Sequence, residues 1–432
     1  MTEAEPAPSS APTPAPGRSV EILWPDDRIS QATTILCLAL ITLGVLWRLT
    51  GLDFPPDFSF DEHHFVRNAR NYIAHVADWN DHPPMGKLVL VPAMLIFGDR
   101  GLGWRLASAV FGVVLIGLVG VVAGSLFRDR RAGLFAATFA AIDGIFVSYA
   151  RTALVDTPLM MFMFGGLALM LRGRWLGWFA LAAVSLGLAI ATKWTAVCVF
   201  LLAPWLLRRG GRSAWHTLWM LALAALVYFA IFALGLAITR MPISLSGMLR
   251  TNLDLLKHHA GFTEWDNGAA SKWYTWPFLI HPIILRYAEI RPDRLRVTTT
   301  LGNPLLWYTT TAVCFWMLFE LGKAIVQARR AHARLPEEMR ATGFVLGGMV
   351  ALTLPFILTK RESYIWHYFG AYALALGLVA AVLARLERRR PMVGLVVCGV
   401  IALVSLYYSP VWTDGVIDRA GFLHRLPFPG WR

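Results

Sequence analysis

FSFDEHHFVRNARNYIAHVADWNDHPPMGK, residues 58–87, is a charged segment between two long apolar stretches of the chain. Its acids, imidazoles and bases would be costly in hydrocarbon, whereas the flanking stretches are long enough to cross a bilayer as helices. The segment is therefore expected at a membrane surface, with Asp61 and Glu62 just beyond the first predicted span. A solvated loop is the alternative for any single charge, but the density of titratable groups favours a site of chemistry.

The composition indicates a polytopic membrane protein. Of 432 residues, 56% are hydrophobic, with 18 Trp and 25 Phe, more than a soluble globule of this size contains. A net charge of +13 is compatible with nucleic-acid binding, but most of the excess lies in short Arg clusters between apolar stretches, where topology is encoded. Nucleic acid is therefore not an expected partner.

The cysteines lie in apolar stretches without metal-ligand spacing and are expected in the core: Cys37, Cys198, Cys314 and Cys398.

Runs of about 17 to 25 mainly apolar residues predict an all-α fold with about eleven transmembrane helices. They lie near 30–50, 103–127, 132–149, 155–171, 175–191, 192–207, 214–238, 304–323, 342–359, 363–384 and 391–409. The fifth and sixth are short and share one apolar run, so a bent pair or a single re-entrant unit is the alternative there.

Arginine clusters in alternate loops predict the topology. They lie at 128–131, 172–174, 208–212, 329–334 and 388–390. The positive-inside rule makes these loops cytoplasmic, so the N-terminus lies inside, the C-terminus outside, and both long loops, 51–102 and 239–303, outside. The charged segment would then face the extracytoplasmic side of the plasma membrane.

One transmembrane domain is predicted over 29–409. Residues 1–28 are expected to form a disordered cytoplasmic tail, because their first part is rich in Pro, Ala and Ser and lacks the regions of a signal peptide. Residues 410–432 are expected as an outer tail. In the first loop, 86–98 is apolar but too short to cross, which predicts a helix along the interface. The second loop is expected to form only short helices and turns.

Several charged residues lie within or at the ends of predicted spans: Arg105, Asp143, Arg151, Asp156 and Lys193. An ionised group at the bilayer centre costs about 3 kcal/mol or more unless it is paired or hydrated, so these residues are expected to face a polar cavity. Ion pairs between helices, such as Arg151 with Asp156, are the alternative.

An outward-facing carboxylate, nearby cations and a cavity together suit the transfer of a group from a lipid phosphate. A carboxylate can accept the proton of an attacking hydroxyl, and fixed Lys or Arg charges stabilise the leaving phosphate. His82 precedes two prolines and is expected to stabilise a turn, with a ligand or phosphate-donor role as the alternative. A divalent site that joins His63 or His64 to the adjacent carboxylates stays open, and no metal is predicted.

Several motifs resemble those of the protein O-mannosyltransferases, membrane glycosyltransferases of the GT-C fold that use a polyprenyl-phosphate sugar. The resemblance spans most of the chain and keeps the order of the family motifs. They are FDEHHF at 60–65, DHPPMGK at 81–87, WRLASAVFG at 104–112, DGIFVSYARTALVD at 143–156, SKWYTWP at 271–277, GNPLLWY at 302–308 and WHY at 366–368.

The resemblance implies an inverting transfer of a sugar, with mannose the expected one, from the lipid carrier to a Ser or Thr hydroxyl of a translocated protein. Asp61 would act as base or acceptor-positioning carboxylate, with Glu62 beside it. The residues implied at the donor phosphate or in the cavity are Arg105, Arg151, Asp156, Lys193, Arg361, His367 and Tyr368. Arg361 is assigned by its location at the outer end of a predicted span, next to Lys360, and not by a motif. The loops that shape the acceptor groove contribute His82, Lys87, Trp273 and Trp276, with interfacial anchoring as the alternative for the tryptophans.

Eukaryotic members carry a large β-trefoil insertion that residues 239–303 are too short to hold, so the chain resembles a compact bacterial member. Its acceptor is thus open, since a lipid or a cell-envelope glycan would suit the same base. A secondary transporter would also place charges in its spans, but the sequence has no internal repeat. An inactive partner subunit is disfavoured by the retained Asp61 and Glu62. Polyprenyl-phosphate mannose and a protein emerging from the translocon are the expected partners, and no cofactor beyond the lipid donor is predicted.

Overall fold

The computed structural model describes residues 29–77, 81–173, 175–261, 268–360 and 362–432. The predicted tail 1–28 and Arg361 lie outside the described residues. Within the described part, the α-helices are α1 (Gln31–Leu49), α2 (Glu62–Ile73), α3 (Met85–Leu88), α4 (Val91–Phe97), α5 (Gly101–Phe127), α6 (Arg130–Ile142), α7 (Gly144–Ala150), α8 (Asp156–Leu171), α9 (Leu176–Ile190), α10 (Ala203–Arg209), α11 (His216–Ile238), α12 (Leu245–Gly261), α13 (Pro304–Arg330), α14 (Glu337–Leu358), α15 (Phe369–Arg389), α16 (Val393–Tyr408) and α17 (Arg419–Arg425).

Short 3-10 helices and three strands complete the described secondary structure. The 3-10 helices are Trp194–Leu201, Trp273–Phe278, Ile365–Tyr368, Ser409–Val411 and Pro429–Trp431. The strands are β1 (Ile284–Arg291), β2 (Arg294–Thr299) and β3 (Val416–Asp418).

Every predicted span coincides with helical structure. Seven helices in the described ranges are long and apolar enough to cross a membrane, namely α1, α5, α11, α13, α14, α15 and α16, and α6 with α7 makes an eighth that is bent by 60°. The predicted spans at 155–171, 175–191 and 192–207 coincide with α8, with α9, and with the 3-10 helix Trp194–Leu201 followed by α10. The polytopic helical fold is confirmed, while eleven crossings and their orientation stay predictions.

The bend between α6 and α7 is stabilised by two buried charges. The Oδ1 atom of Asp143 accepts the amide of Ile145 at 3.1 Å and so caps α7. Its Oδ2 atom accepts from two other elements, through the amide of Asn303 at 2.9 Å and the hydroxyl of Tyr372 at 3.0 Å. Arg48 of α1 donates to carbonyls at the break, those of Ala140 at 2.8 Å and Ala141 at 2.7 Å. Asp143 was expected to face a cavity, and that was wrong, because the break in the helix uses its whole carboxylate.

Helix α15 lies at the centre of the bundle, where it packs against α5, α6 and α14 and is buried along most of its length. Glycines let α5 and α6 approach closely. A Cβ atom on Gly120 would lie 2.8 Å from the carbonyl oxygen of Gly133. The two helices are thus in close backbone contact near the turn that joins them.

An antiparallel sheet in the order β1-β2-β3 joins the second long loop to the C-terminal region. The expectation of only helices and turns in 239–303 was therefore wrong. Leu295, Val297, Thr298 and Thr299 of β2 are buried, in a strand of six residues that hydropathy over longer windows does not detect. The C-terminal region is also folded, since buried Trp431 donates its indole N–H to the carbonyl of Leu279 at 2.6 Å.

One arginine of β1 connects three regions at this end of the molecule. Arg286 donates to Asp414 of the C-terminal region at 3.1 Å and to Asp57 of the first loop at 3.0 Å. The backbone carbonyl of Asp57 in turn accepts from Arg105 at 2.9 Å. Both long loops and the C-terminal region therefore share one polar network.

Candidate active site

Asp61 lies immediately before α2 and is half-buried. Phe60 before it adopts φ 46°, and the Phe60 ring contacts Trp366 at a centroid distance of 5.5 Å. The Asp61 carboxylate does not cap the helix and accepts no hydrogen bond from the described residues. Burial raises the pKa of this carboxyl, while the nearby charges of His64 and Lys193 act in the opposite direction. Asp61 thus combines spare hydrogen-bonding capacity with a position near a cation.

Glu62 has the opposite environment. Its side chain is fully buried and pairs with Arg105 through two bonds, Nε to Oε1 at 2.8 Å and Nη2 to Oε2 at 2.7 Å. It also accepts the backbone amides of Ser59 at 2.7 Å and Ala153 at 2.8 Å. Four donors fill the carboxylate, so Glu62 orients the first loop and has no capacity left for a reacting hydroxyl.

Arg105 is equally occupied. Besides Glu62, its guanidinium donates to three backbone carbonyls of the first loop, those of Leu52 at 3.1 Å, Pro55 at 2.7 Å and Asp57 at 2.9 Å. These contacts use all five N–H groups of the side chain. No N–H group of Arg105 is left for the carrier phosphate in this structure, so its assignment to the phosphate stays a prediction. We call Glu62, Arg105 and these carbonyls the loop brace.

Asp156 and Lys193 form an ion pair, with Nζ 3.0 Å from Oδ1, and their side chains are 13% and 12% exposed. Asp156 begins α8, and Lys193 precedes the next 3-10 helix. The proposed pairing of Asp156 with Arg151 was wrong. Arg151 turns towards the end of α1, where it donates to the carbonyls of Thr50, at 2.7 Å, and Trp47, and it lines a separate recess.

Lys193 lines two adjoining recesses, which we together call the site cavity. The first recess is also lined by Asp156, Trp366 and His367. The second has a volume of about 290 Å³ and includes His82 and His259. Lys193, Thr195, Phe356 and His367 line both recesses. The cavity therefore combines one paired cation with aromatic and imidazole walls, as expected of a site for an amphipathic anion.

His367 and Tyr368 are neighbours that face different ways. The His367 ring stacks on Phe356 at 4.0 Å in the cavity wall, and the amide of Tyr364 donates to its Nδ1 at 3.0 Å. Tyr368 is 5% exposed and packs against Trp307 in the core. The structure thus brings His367 to the cavity and removes Tyr368 from it.

The turn at His82 is held by Lys87. The Lys87 side chain is fully buried, and its ammonium donates to the carbonyls of Pro83, at 2.8 Å, and His82. Burial lowers the pKa of Lys87 to about 7, against the effect of Asp81. An acceptor-binding role for Lys87 does not fit this burial. The His82 ring lies between Phe65 and His259, so His82 does reach the cavity wall.

The two tryptophans of SKWYTWP have separate positions. Trp273 is 39% exposed and lines an open recess with Lys360 and Thr359. Trp276 is 1% exposed, donates to the hydroxyl of Ser271 at 3.0 Å and packs against Phe356. Trp273 remains available for an acceptor or an interface, whereas Trp276 is a core residue behind the cavity wall.

Some cavity residues were not predicted. Thr195, Phe356 and Trp366 carry no ionic charge, so a charge within an apolar stretch does not mark them. His259 could have been predicted from the sequence, because His258 and His259 form a doublet in the second loop.

A metal site with His63 or His64 was left open by the sequence. The rings of His63 and His64 lie 3.8 Å apart. Within the described ranges, no group of three or more His, Cys, Asp or Glu side chains is arranged to hold a metal.

Two family models cover most of the chain. Residues 81–237 match dolichyl-phosphate-mannose-protein mannosyltransferase, and residues 244–414 match the C-terminal four-transmembrane region of protein-O-mannosyltransferase. The chain belongs to the protein O-mannosyltransferase family. Similar curated members include the polyprenol-phosphate-mannose--protein mannosyltransferase of Mycolicibacterium smegmatis, 26% identical over 97% of this chain and 99% of that protein. The protein of the same name from Mycobacterium tuberculosis is 26% identical over 98% of this chain and 96% of that protein.

Solved structures show the same fold in this mannosyltransferase family and beyond it. The Saccharomyces cerevisiae Pmt1-Pmt2 complex bound to the sugar donor matches with a TM-score of 0.79 and 13% identity, over 96% of this chain and 94% of that chain. ArnT from Cupriavidus metallidurans bound to undecaprenyl phosphate matches with a TM-score of 0.56 and 20% identity, over 88% of this chain and 65% of that chain. The GT-C fold predicted from the motifs is thus confirmed.

Proposed function

We propose that this protein O-mannosyltransferase moves mannose from a polyprenyl-phosphate carrier to a Ser or Thr hydroxyl of a protein. The observation that carries the proposal is the Asp61 carboxylate, which is half-buried, free of hydrogen bonds from the described residues, and close enough to Lys193 for that cation to affect its pKa. Support for donor and acceptor comes from the relatives, which are named polyprenol-phosphate-mannose--protein mannosyltransferases.

The reaction needs one base and one stabilised leaving group. Asp61 accepts the proton of the acceptor hydroxyl as its oxygen attacks C1 of the sugar. The bond from C1 to the phosphate oxygen breaks on the opposite side, and its electron pair leaves with the polyprenyl phosphate, so the configuration at C1 inverts. Lys193, held in place by Asp156 at 3.0 Å, lies where it can stabilise the charge that develops on the phosphate.

We assign the sugar, the lipid and the phosphate to other residues in and near the cavity wall. The aromatic face of Phe356 with His367 suits the sugar ring or the first part of the lipid, because apolar ring faces pack on both. Arg361, which is outside the described residues, retains its proposed role at the phosphate from its place in the sequence next to Lys360, at the outer end of a predicted span. We further propose that the site faces the extracytoplasmic side of the plasma membrane and that acceptors reach it as they emerge from the translocon.

The decisive experiment follows label from donor to acceptor. Purified protein in lipid nanodiscs is incubated with radiolabelled polyprenyl-phosphate mannose and a Ser/Thr-rich peptide. Asp61→Asn should abolish labelling of the peptide while donor binding persists, because the amide keeps the shape of the carboxylate and cannot accept the proton. Asp99→Asn is the matched control, since Asp99 lies in the same loop in an exposed pair with Arg70.

Each outcome of this experiment tests a different part of the proposal: the base, the acceptor or the transfer itself. Full transfer by Asp61→Asn would refute the assignment of the base. Label that appears on a lipid or a glycan and never on the peptide would keep the glycosyltransferase and replace the acceptor. A secondary transporter would bind the donor without moving the label at all, a reading that membership in a mannosyltransferase family already disfavours.

A further inference from the structure

Helix α12 presents apolar residues on two separate faces. One face packs on the protein, where Met248 and Leu255 are buried against Tyr228 and Phe232 of α11. The other face is exposed and carries four leucines that are 50% to 61% exposed, Leu245, Leu249, Leu253 and Leu256. Their spacing of four, four and three residues places them on one side of the helix. We call this second face the leucine stripe.

Charged residues border the leucine stripe on its outer edge. Arg250 and Lys257 are seven residues apart, so they lie two turns apart on nearly the same side of α12. Both are exposed, and Lys257 makes only a surface pair with Asp254 at 3.5 Å. A leucine face flanked by basic side chains is typical of helices that lie in the interface of an anionic membrane.

The position of α12 matches this composition. It follows α11, which is long and apolar enough to cross a membrane, after a short connection from Ile238 to Leu245. Asn252, in the middle of α12, accepts a hydrogen bond from Tyr228 of α11. Tyr228 lies ten residues before the end of α11, which corresponds to about 15 Å along the helix axis. α12 therefore lies alongside the membrane-crossing length of α11 and not beyond it.

The inner edge of α12 forms part of the site cavity. Leu255, Leu256 and His259 line the same recess as Lys193 and His367. Leu256 belongs both to this recess and to the leucine stripe, so a single helix separates the candidate site from whatever covers the stripe.

We propose that α12 is immersed in the outer leaflet of an anionic membrane, with the leucine stripe among the acyl chains and Arg250 and Lys257 at the lipid phosphates. The helix is then the wall between the site cavity and the lipid. This assignment concerns the position of a helix, so it does not depend on the chemistry proposed for Asp61.

Fluorescence quenching tests the position of α12 in the full chain. An environment-sensitive label is attached at position 249, 253 or 257 through Leu249→Cys, Leu253→Cys or Lys257→Cys, in nanodiscs that contain phosphatidylglycerol. The native cysteines are buried or half-buried, and the unsubstituted chain treated in the same way gives their background. Labels at 249 and 253 should be quenched by a lipid with a nitroxide on its acyl chain, and quenched by iodide about threefold less than the label at 257.

Two results would overturn the proposal. Iodide quenching at 249 and 253 equal to that at 257 would place the stripe in water. Shielding of both positions from iodide and from the nitroxide lipid would show that a protein surface, such as a second copy of the chain, covers the stripe. Monodisperse elution and donor binding of each labelled variant establish that it is folded.

Discussion

Asp61 and Glu62 are adjacent in the chain but belong to two regions with opposite properties. Glu62 belongs to the loop brace, in which every donor of Arg105 and the whole carboxylate are used. Asp61 lies near enough to the Asp156–Lys193 pair to be affected by its charges, and its carboxylate has no such partners among the described residues. The difference teaches that burial alone does not identify a catalytic carboxylate. What distinguishes the two is bonding capacity that the fold leaves unused.

The two regions are also mechanically connected. Because Asp61 directly precedes Glu62 at the start of α2, the bonds that hold Glu62 also restrict the backbone of Asp61. The brace thus positions the carboxylate that we propose as the base. Each variant below tests one side of this comparison.

The largest effect is expected from breaking the loop brace. Arg105→Leu should lower the free energy of unfolding by about 3 to 5 kcal/mol, because it leaves a buried carboxylate without its ionic partner. Thermal unfolding in detergent or nanodiscs measures the loss. Arg100→Leu is the matched control, since Arg100 makes an exposed pair with Asp53 and should have little effect. A normal melting temperature for Arg105→Leu with reduced turnover would instead place Arg105 at the donor.

A change in the site cavity should lower activity and have little effect on the free energy of unfolding. Lys193→Met should lower kcat/KM for the lipid donor by about 10² to 10³, the usual cost of removing one group that stabilises transition-state charge. Lys323→Met offers a comparison, because Lys323 is also paired with a carboxylate but is exposed on α13. If both variants turn over donor at the wild-type rate, the Asp156–Lys193 pair is structural.

The smallest effect concerns pH. Asp61 must be ionised to act as a base, so activity is lost as the pH falls through its raised pKa. His64→Gln removes a positive charge that favours the carboxylate, so the acid limb of the pH profile should move upward, by less than about one pH unit. The same substitution at His216, at the start of α11, should leave the limb in place. A downward shift with His64→Gln would contradict the assignment of Asp61 as the titrating base.

The sequence predicts the helical part of this fold well, because a helix that crosses a bilayer needs an apolar run of a certain length, which is visible in the sequence. The spans expected at 103–127 and 214–238 agree with α5 and α11 to within two residues at each end. The bend at Asp143 and the sheet were not predicted. Both depend on contacts with residues far away in the chain, such as Asn303 for the bend and the β3 strand for the sheet.

Some residues of the candidate site were predicted from the sequence and others were not, for a physical reason. Hydropathy gives the depth of a charged residue in the membrane, but it does not give the direction in which the side chain points. Lys193 and Arg151 were therefore indistinguishable in the sequence, although one lines the site cavity and the other binds carbonyls of α1. Neutral wall residues such as Phe356 gave no signal.

The position of Arg286 has a consequence for biosynthesis. Its guanidinium joins Asp57, which the ribosome makes early, to Asp414, which it makes after α16. The polar network at this end of the protein therefore cannot be completed until the residues after α16 have been synthesised. A chain still in synthesis lacks one side of this network, so the order of translation itself delays the maturation of the enzyme until insertion of its helices is finished.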